Sequence, residues 1–324
     1  MYVARRGAQE VRGAGVRKDV RVATEDGQSA LMRARAIVLA LERANPEAEF
    51  HMVIVRACRP AERSWSDPDG RGVAEALATA LLEHAADMVI LGLSCSETTP
   101  TGGTTLAAVP RRSDPRDVFI SRGGKTLDEL PAGSRVGAST SLRCSQVLRM
   151  RRDLVPVSVR GPADAHLRKL ARGDDCLAAI VVEAARLARK GLLGHAAEAF
   201  PPERFPPMRG QGAVAVLTRA GDRAARAAAG RIDDPASRAA WEAERSFTGA
   251  LGAGPASPVG AFASAGEDGR LSLTGAVYSP DGVEEVRGEA AGPARSAREI
   301  GASLADRLLA RGTERLMAQA AVPA

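Results

Sequence analysis

Leu130-Pro131-Ala132-Gly133-Ser134-Arg135-Val136-Gly137-Ala138-Ser139-Thr140-Ser141-Leu142-Arg143 carries a short apolar strand directly into a helix, and its reading decides the fold. The strand is expected over Arg135–Gly137 and the helix over Leu142–Arg152. Downstream, strands are expected at Pro156–Arg160 and Ala178–Val182, with helices over Ala163–Arg172 and Ala184–Lys190. Upstream the same alternation occurs: Val20–Ala23, a helix over Ala30–Ala44, Phe50–Val55, a helix over Gly72–His84, then Met88–Gly92. Both sets predict βαβ units, that is, mostly parallel sheets covered by helices.

The Pro- and Gly-rich segment Phe200–Gly212 predicts a crossover back to the first unit through a strand at Ala213–Thr218. Beyond Asp222 the pattern changes. Helices are expected over Arg223–Ile232 and Pro235–Leu251, then three meandering strands at Val259–Ala265, Arg270–Tyr278 and Val283–Gly288, and a closing helix over Ala294–Arg311. That is a separate α+β domain. The expected division is 1–17 as a disordered basic extension, 18–112 with 212–232 as domain 1, 113–206 as domain 2 and 233–324 as domain 3.

Apolar residues make up 45% of the 324-residue chain and aromatics only 3%, so the cores must be filled by small aliphatic side chains in close contact. The absence of an eighteen-residue apolar run predicts no membrane partner and a cytoplasmic protein. Cys58, Cys95, Cys144 and Cys176 form no Cys-x-x-Cys pair and lack a His-rich neighbour, which predicts free thiols and no metal site. The net charge is +6. With basic residues not interleaved with exposed aromatics, it argues for an acidic small molecule or codon bias ahead of nucleic acid. A monomer is expected.

Several strings, in order and at the right spacing, resemble hydroxymethylbilane synthases (porphobilinogen deaminases). They are Asp114-Pro115-Arg116-Asp117, Leu130–Gly137, Ser141-Leu142-Arg143, Val159-Arg160-Gly161, Leu167-Arg168-Lys169-Leu170, Gly210-Gln211-Gly212-Ala213 and Ala243-Glu244-Arg245, and the resemblance as a whole covers roughly residues 18–312. The resemblance implies two α/β domains of the periplasmic-binding-protein type with a cleft between them, plus a C-terminal α+β domain. It further implies a dipyrromethane linked to a cysteine, an aspartate acting at the pyrrole nitrogens, and arginines holding acetate and propionate groups.

Position by position the sequence departs from that pattern. The counterpart of the cofactor cysteine in Leu251-Gly252-Ala253-Gly254-Pro255 is Pro255, which cannot form a thioether. The family's Lys-Asp pair falls on Ser94-Cys95, with Glu97 two residues on. Its Leu-Arg-Arg becomes Leu142-Arg143-Cys144, and its Arg-Gly-Asn-x-x-Thr-Arg runs from Arg160 to His166. The N-terminal Arg-Gln-Ser-Pro-Leu-Ala becomes Asp26-Gly27-Gln28-Ser29-Ala30-Leu31, in which Ser29 is expected to cap the helix. The lid segment is reduced to Gly70-Arg71-Gly72-Val73, and Arg189 is retained.

The candidate binding set is therefore Ser29, Ser94, Ser139, Thr140, Ser141, Arg143, Arg160, Arg189 and Gln211, with Arg33 and Arg35 facing either the cleft or solvent. The loop Gly137–Ser141 offers N–H groups and hydroxyls to an anion at a helix N-terminus, while Ser139 or Thr140 caps that helix. Cys95, Cys144 and His166 are the candidate catalytic residues, a Cys–His couple in the cleft. The competing reading makes the cysteines neutral fillers and His166 a helix-surface residue. From these losses the sequence predicts a repurposed relative acting on a carboxylated, pyrrolic or heteroaromatic molecule without dipyrromethane. A non-catalytic binder of an anionic metabolite is the alternative, and a genuine synthase comes third.

Overall fold

The computed structural model describes residues 19–56, 71–94, 102–159, 161, 163–254 and 256–320. The expected basic extension lies outside the described residues, as do Cys58, Cys95, Glu97, Arg160 and Pro255.

The first unit opens with β1 (Asp19–Glu25). Its alternation sends Val20 and Val22 to one core and Ala23 to the other. Helix α1 (Gln28–Ala44) buries Ala34, Val38 and Leu41 on the Val20 side, and β2 (Glu49–Val55) pairs parallel with β1. Helix α2 (Arg71–Leu82) covers the opposite face through Leu77 and Leu81. Strand β3 (Met88–Gly92) runs parallel to β1 and is followed by β4 (Thr104–Ala108).

The chain then crosses into the second unit through β5 (Asp117–Ser121). There β6 (Arg135–Ala138), α3 (Ser141–Met150), β7 (Val155–Ser158), α4 (Ala163–Arg172), β8 (Leu177–Glu183) and α5 (Ala184–Ala188) realise the βαβ rhythm, and β9 (Glu198–Ala199) ends it. Phe119, Phe200 and Phe205 fill one side of this sheet, the last two stacked at 4.6 Å. Strand β10 (Val214–Arg219) returns to the first sheet and α6 (Arg223–Gly230) packs on it through Ala225, Ala228 and Ala229.

The two sheets share one plan: β2-β1-β3-β10-β4 and β7-β6-β8-β5-β9. They are mixed, which corrects the expected mostly parallel arrangement. β10 runs antiparallel to β3 and β4, and β5 antiparallel to β8 and β9. The cause is topological, since β5 and β10 are the strands by which the chain arrives from the other unit, so each enters its sheet from the crossover end.

The third domain packs α7 (Pro235–Ala250) and a later helix on an antiparallel sheet of β11 (Val259–Ala265), β12 (Arg270–Tyr278) and β13 (Glu285–Pro293). That helix is α8 (Ala297–Leu309), and α9 (Thr313–Ala320) closes the end of the core with Leu316. Phe247 lies at the centre of this core, fully buried, and truncating it to Ala would cost about 3–5 kcal/mol.

The crossovers are tightly bound to one another. Gly210 (φ +66°) and Gly212 (φ +79°) adopt left-handed backbone, and a Cβ on them would come within 2.8 Å of the Leu93 carbonyl oxygen and 2.7 Å of that of Ser113. Only glycine fits both demands, which is the physical content of the Gly210-Gln211-Gly212 string. Glu244 of α7 is fully buried and accepts from Arg112 Nη1 at 2.6 Å, Gly210 N at 2.6 Å and Ala263 N at 2.8 Å. One carboxylate thereby joins both crossovers to the third domain.

Candidate functional site

The cleft that the resemblance implies falls where β1 and β3 of the first sheet and β6 and β8 of the second end, beside the first turns of α1 and α3, and there Lys190 of the second unit meets Gln28 of the first. Thr140 is the N-cap of α3, its hydroxyl accepting from Arg143 N at 3.2 Å. Ser139 is exposed and accepts from Arg143 Nη1 at 2.8 Å, while the Ser141 hydroxyl donates to the Ala256 carbonyl of the third domain. Of the two open readings of this loop, the cap is thus carried by Thr140.

Arg143 is drawn inward. Its Nη2 donates to Asp117 Oδ1 at 2.7 Å and to Gln211 Oε1 at 3.0 Å, with Glu183 at 3.8 Å. Burial disfavours its charge, but the Asp117 and Glu183 carboxylates outweigh this and hold the guanidinium above its ordinary pKa. Gln211 completes the network by donating to Pro115 O and to Asp117 Oδ1. The two Nη groups of Arg143 and the Gln211 amide therefore bond within the protein, at the junction of crossover and cleft floor, while Arg143 Nε is buried without a partner.

Glu183 ends β8 and is likewise buried; burial works against its charge, and Arg186, Arg143 and Arg189 together keep it ionised, below the usual carboxylate range. Arg186 donates to it at 3.0 Å. Arg189, just past α5, is partly buried, and its Nε finds no hydrogen-bond partner. Burial, then the neighbouring charge of Arg33, push its pKa below the ordinary value.

On the first domain's side α1 begins at Gln28, with Gly27 as an N-cap that supplies no side-chain bond. Ser29 is the second helical residue and not the cap, a correction that follows from where β1 ends: two residues separate Glu25 from the helix. Gln28 accepts from Lys190 Nζ at 2.8 Å, a direct link across the cleft. Arg33 passes over Gly92, its Nη1 3.0 Å from where a Cβ would stand, and its Nη2 lies 3.5 Å from Glu25 Oε1. Ser94 follows that strand, half-buried, and Arg35 is exposed.

Of the candidate catalytic residues, Cys95 lies outside the described residues. Burial pushes the Cys144 thiol up to about 11, against a smaller pull from Arg143, so it is a protonated thiol at neutral pH. His166 sits on α4 with 3% of its surface exposed, which removes the reading of it as a helix-surface residue. Asp117, Glu183, Arg186 and Lys190 went unread as site residues. Asp117 closes the string Asp114–Asp117, taken as framework alone, and Glu183 could have been noticed as a carboxylate abutting the apolar run Leu177–Val182. An exposed Asp19–Glu49–His51 cluster has metal-ligand spacing, but it lies at the opposite ends of β1 and β2 from the cleft.

Residues 20–227 match the family described as porphobilinogen deaminase, dipyromethane cofactor binding domain, and residues 239–310 match porphobilinogen deaminase, C-terminal domain. The chain belongs to the porphobilinogen deaminase family. It is 36% identical to a porphobilinogen deaminase of Brevibacillus brevis, covering 92% of this chain and 96% of that one. Identity to the protein of that name from Thermus thermophilus is also 36%, over 92% and 98%. With that of Mycobacterium tuberculosis it is 43%, over 66% and 71%. Among solved structures, an ABC transporter protein from Parabacteroides distasonis superposes with a TM-score of 0.40 at 12% identity, over 65% of this chain and 69% of that one. No helix among the described residues is long and apolar enough to cross a membrane.

These matches correct two expectations. A repurposed function is overturned by porphobilinogen deaminases aligning over nearly the full length at 36% identity. The expectation of no dipyrromethane is overturned by the match of residues 20–227 to the domain named for binding that cofactor. Both errors came from weighting a few substituted positions above the retained frame.

For a thioether at the usual position the residues do not fit. The loop after α7 docks on the N-terminus of α3 through Ala256 and Ser141, and residue 255, the counterpart of the family's cysteine, is a proline and carries no sulfur. Nor is Cys144 thiolate-like enough to replace it.

Proposed function

We propose that the protein is a porphobilinogen deaminase of tetrapyrrole biosynthesis, seating acidic pyrroles in the cleft between its first two domains. The observation that carries this reading is the ordered match of both family domains, over residues 20–227 and 239–310. The domains divide as 18–112 with 212–232, 113–206 and 233–324, and the protein acts as a monomer on an anionic small molecule.

In this reading the binding surface consists of the α3 N-terminus with Ser139, Thr140 and Ser141, the α1 first turn with Ser29, the β3 end with Ser94, and Arg160 and Arg189. Carboxylates of a pyrrole carrying acetate and propionate arms are held by backbone N–H groups and guanidinium forks. Arg143 and Gln211 act beneath them: their network with Asp117 and Glu183 fixes the floor of the cleft. The reading rests on these contacts and not on a thioether at residue 255.

The test is incubation of the purified protein with porphobilinogen. Loss of aldehyde-reactive pyrrole is followed together with formation of a linear tetrapyrrole, detected as porphyrin after oxidation. Consumption with porphyrin formation is expected, and an unchanged porphobilinogen concentration at stoichiometric protein would overturn the reading.

A further inference from the structure

The resemblance places the cysteine that carries dipyrromethane in the third domain, yet residues 239–310, which match that domain, contain no cysteine. The counterpart position is fixed by the fold as well as by the string Leu251–Pro255. At the end of α7, Gly252 N donates to Gly249 O at 3.0 Å and Ala253 N to Thr248 O at 2.9 Å, and before β11 Val259 N donates to Ser257 O at 2.8 Å. Between these anchors Ser257 N donates to Gly254 O at 3.0 Å, and the Ala256 carbonyl accepts from Ser141 at the N-terminus of α3. A slip of the loop that brought another residue to α3 would break these bonds.

A thioether forms when a thiolate displaces the amine from an aminomethyl carbon. Proline brings only a hydrocarbon ring to residue 255, and the Ser141 oxygen beside it is a neutral hydroxyl that donates to Ala256. Burial pushes the Cys144 thiol up to about 11, so it stays protonated. Cys176 immediately precedes β8, whereas the cleft lies at the Glu183 end of that strand, about 20 Å off at roughly 3.3 Å per residue. Cys58 and Cys95 belong to the sequence of the first domain, outside the described residues.

We propose that the dipyrromethane of this protein is untethered, made in the cleft from two porphobilinogens and exchangeable with solution, so that the tetrapyrrole grown from it keeps an aminomethyl group at its head. This rests on the deaminase reading for the substrate. Residues 20–227 still bind the pyrrole pair, and what is missing is its bond to the third domain. Held by non-covalent contacts alone, the pair lacks the high effective concentration that a short tether provides.

The product follows from the balance of atoms. Each condensation joins the free α carbon of one pyrrole to the aminomethyl carbon of the next. The carbon–nitrogen bond breaks, and the nitrogen leaves with the ring proton as ammonia. A chain grown on sulfur gives up the amine of every unit it incorporates, and water supplies the oxygen at its head. Without sulfur the first porphobilinogen acts as acceptor alone and keeps its amine, so each tetrapyrrole releases one ammonia fewer.

The test incubates the full chain with porphobilinogen and quenches it in acid within the first turnovers. Polypeptide mass, product mass and the ratio of ammonia released to porphobilinogen consumed are then read from the same samples. Wild type should consume porphobilinogen while its polypeptide keeps the bare mass of the sequence, and its product should carry the aminomethyl head with the ammonia shortfall. Pro255→Cys restores sulfur at the family's position and should gain the mass of a dipyrromethane, mapped to residue 255, with ammonia equal to pyrrole consumed.

Turnover by wild type with a dipyrromethane mass on any cysteine, Cys95 included, would overturn the untethered pair and leave the deaminase reading intact. A hydroxymethyl head with no ammonia shortfall would do the same. No consumption of porphobilinogen by wild type, with the polypeptide still bare, would sink the deaminase reading and the untethered pair with it.

Discussion

Arg143 and Asp117 meet at 2.7 Å beneath the cleft, with 5% and 1% of their side-chain surfaces exposed. They join the start of α3 to the strand by which the chain enters the second domain. Removing one member leaves the other buried and uncompensated, so Asp117→Ala should lower stability by about 3–5 kcal/mol. Urea unfolding followed by circular dichroism checks this, and a loss below about 1 kcal/mol would mean that Glu183 alone suffices as the counterion.

Glu244 plays the corresponding part for the third domain. Glu244→Ala deprives Arg112 Nη1, Gly210 N and Ala263 N of their acceptor in a site with no exposure. At about 1–3 kcal/mol for each buried donor left unsatisfied, the total loss should exceed that of Asp117→Ala. Glu244→Gln retains an acceptor oxygen and should cost less. Limited proteolysis should then cut the crossover 206–213 faster in the Ala variant than in the Gln variant.

Much of this architecture was legible from residues alone. The βαβ rhythm and the α+β end of the chain both follow from apolar periodicity, and the crossover from its Pro and Gly content. Strands β4 and β5 were not read, because Thr104–Ala108 has little apolar contrast and Asp117–Ser121 was absorbed into a motif. Strand β13 was read too short, since Gly288–Pro293 is held in the sheet by pairing with β12 and has little strand propensity of its own. At the site, residue types were readable but their partners were not. Arg143 counted as a ligand-facing arginine because nothing in sequence places Asp117 and Gln211 beside it. The family was legible from its strings, but reading function from the altered positions Ser94, Cys95 and Pro255 led to a repurposed relative, whereas porphobilinogen deaminases align with nearly the whole chain.

Acid should unfold the protein partly through Asp87. Burial opposes its ionisation, but hydrogen bonds from Arg21 and Arg219 more than offset that, so its pKa lies below the ordinary 3.8. A depressed folded-state pKa contributes stability that is complete above the unfolded value, about 3.9, and is lost as pH falls through the folded value. Stability should therefore decline from about pH 4 downward, and Asp87→Asn should be less stable than wild type at pH 6 and approach it as the pH is lowered. A difference between the two that stayed constant from pH 6 to about pH 2 would contradict the assignment.

Cys144 and Cys176 should separate cleanly in reactivity. Burial raises the Cys144 thiol to about 11, whereas Cys176 is exposed on the turn after Gly173. Since the thiolate is the nucleophile, a thiol titrating near 11 presents on the order of 10⁻⁴ of itself as thiolate at pH 7, and burial slows the reagent further. Iodoacetamide at pH 7.5 should label Cys176 within minutes and leave Cys144 unmodified until the protein is unfolded, as read by peptide mass mapping. Rapid alkylation of Cys144 in the folded protein would mean that the thiol reaches solvent by opening of the α3 N-terminus, and would reinstate it as a candidate nucleophile in the cleft.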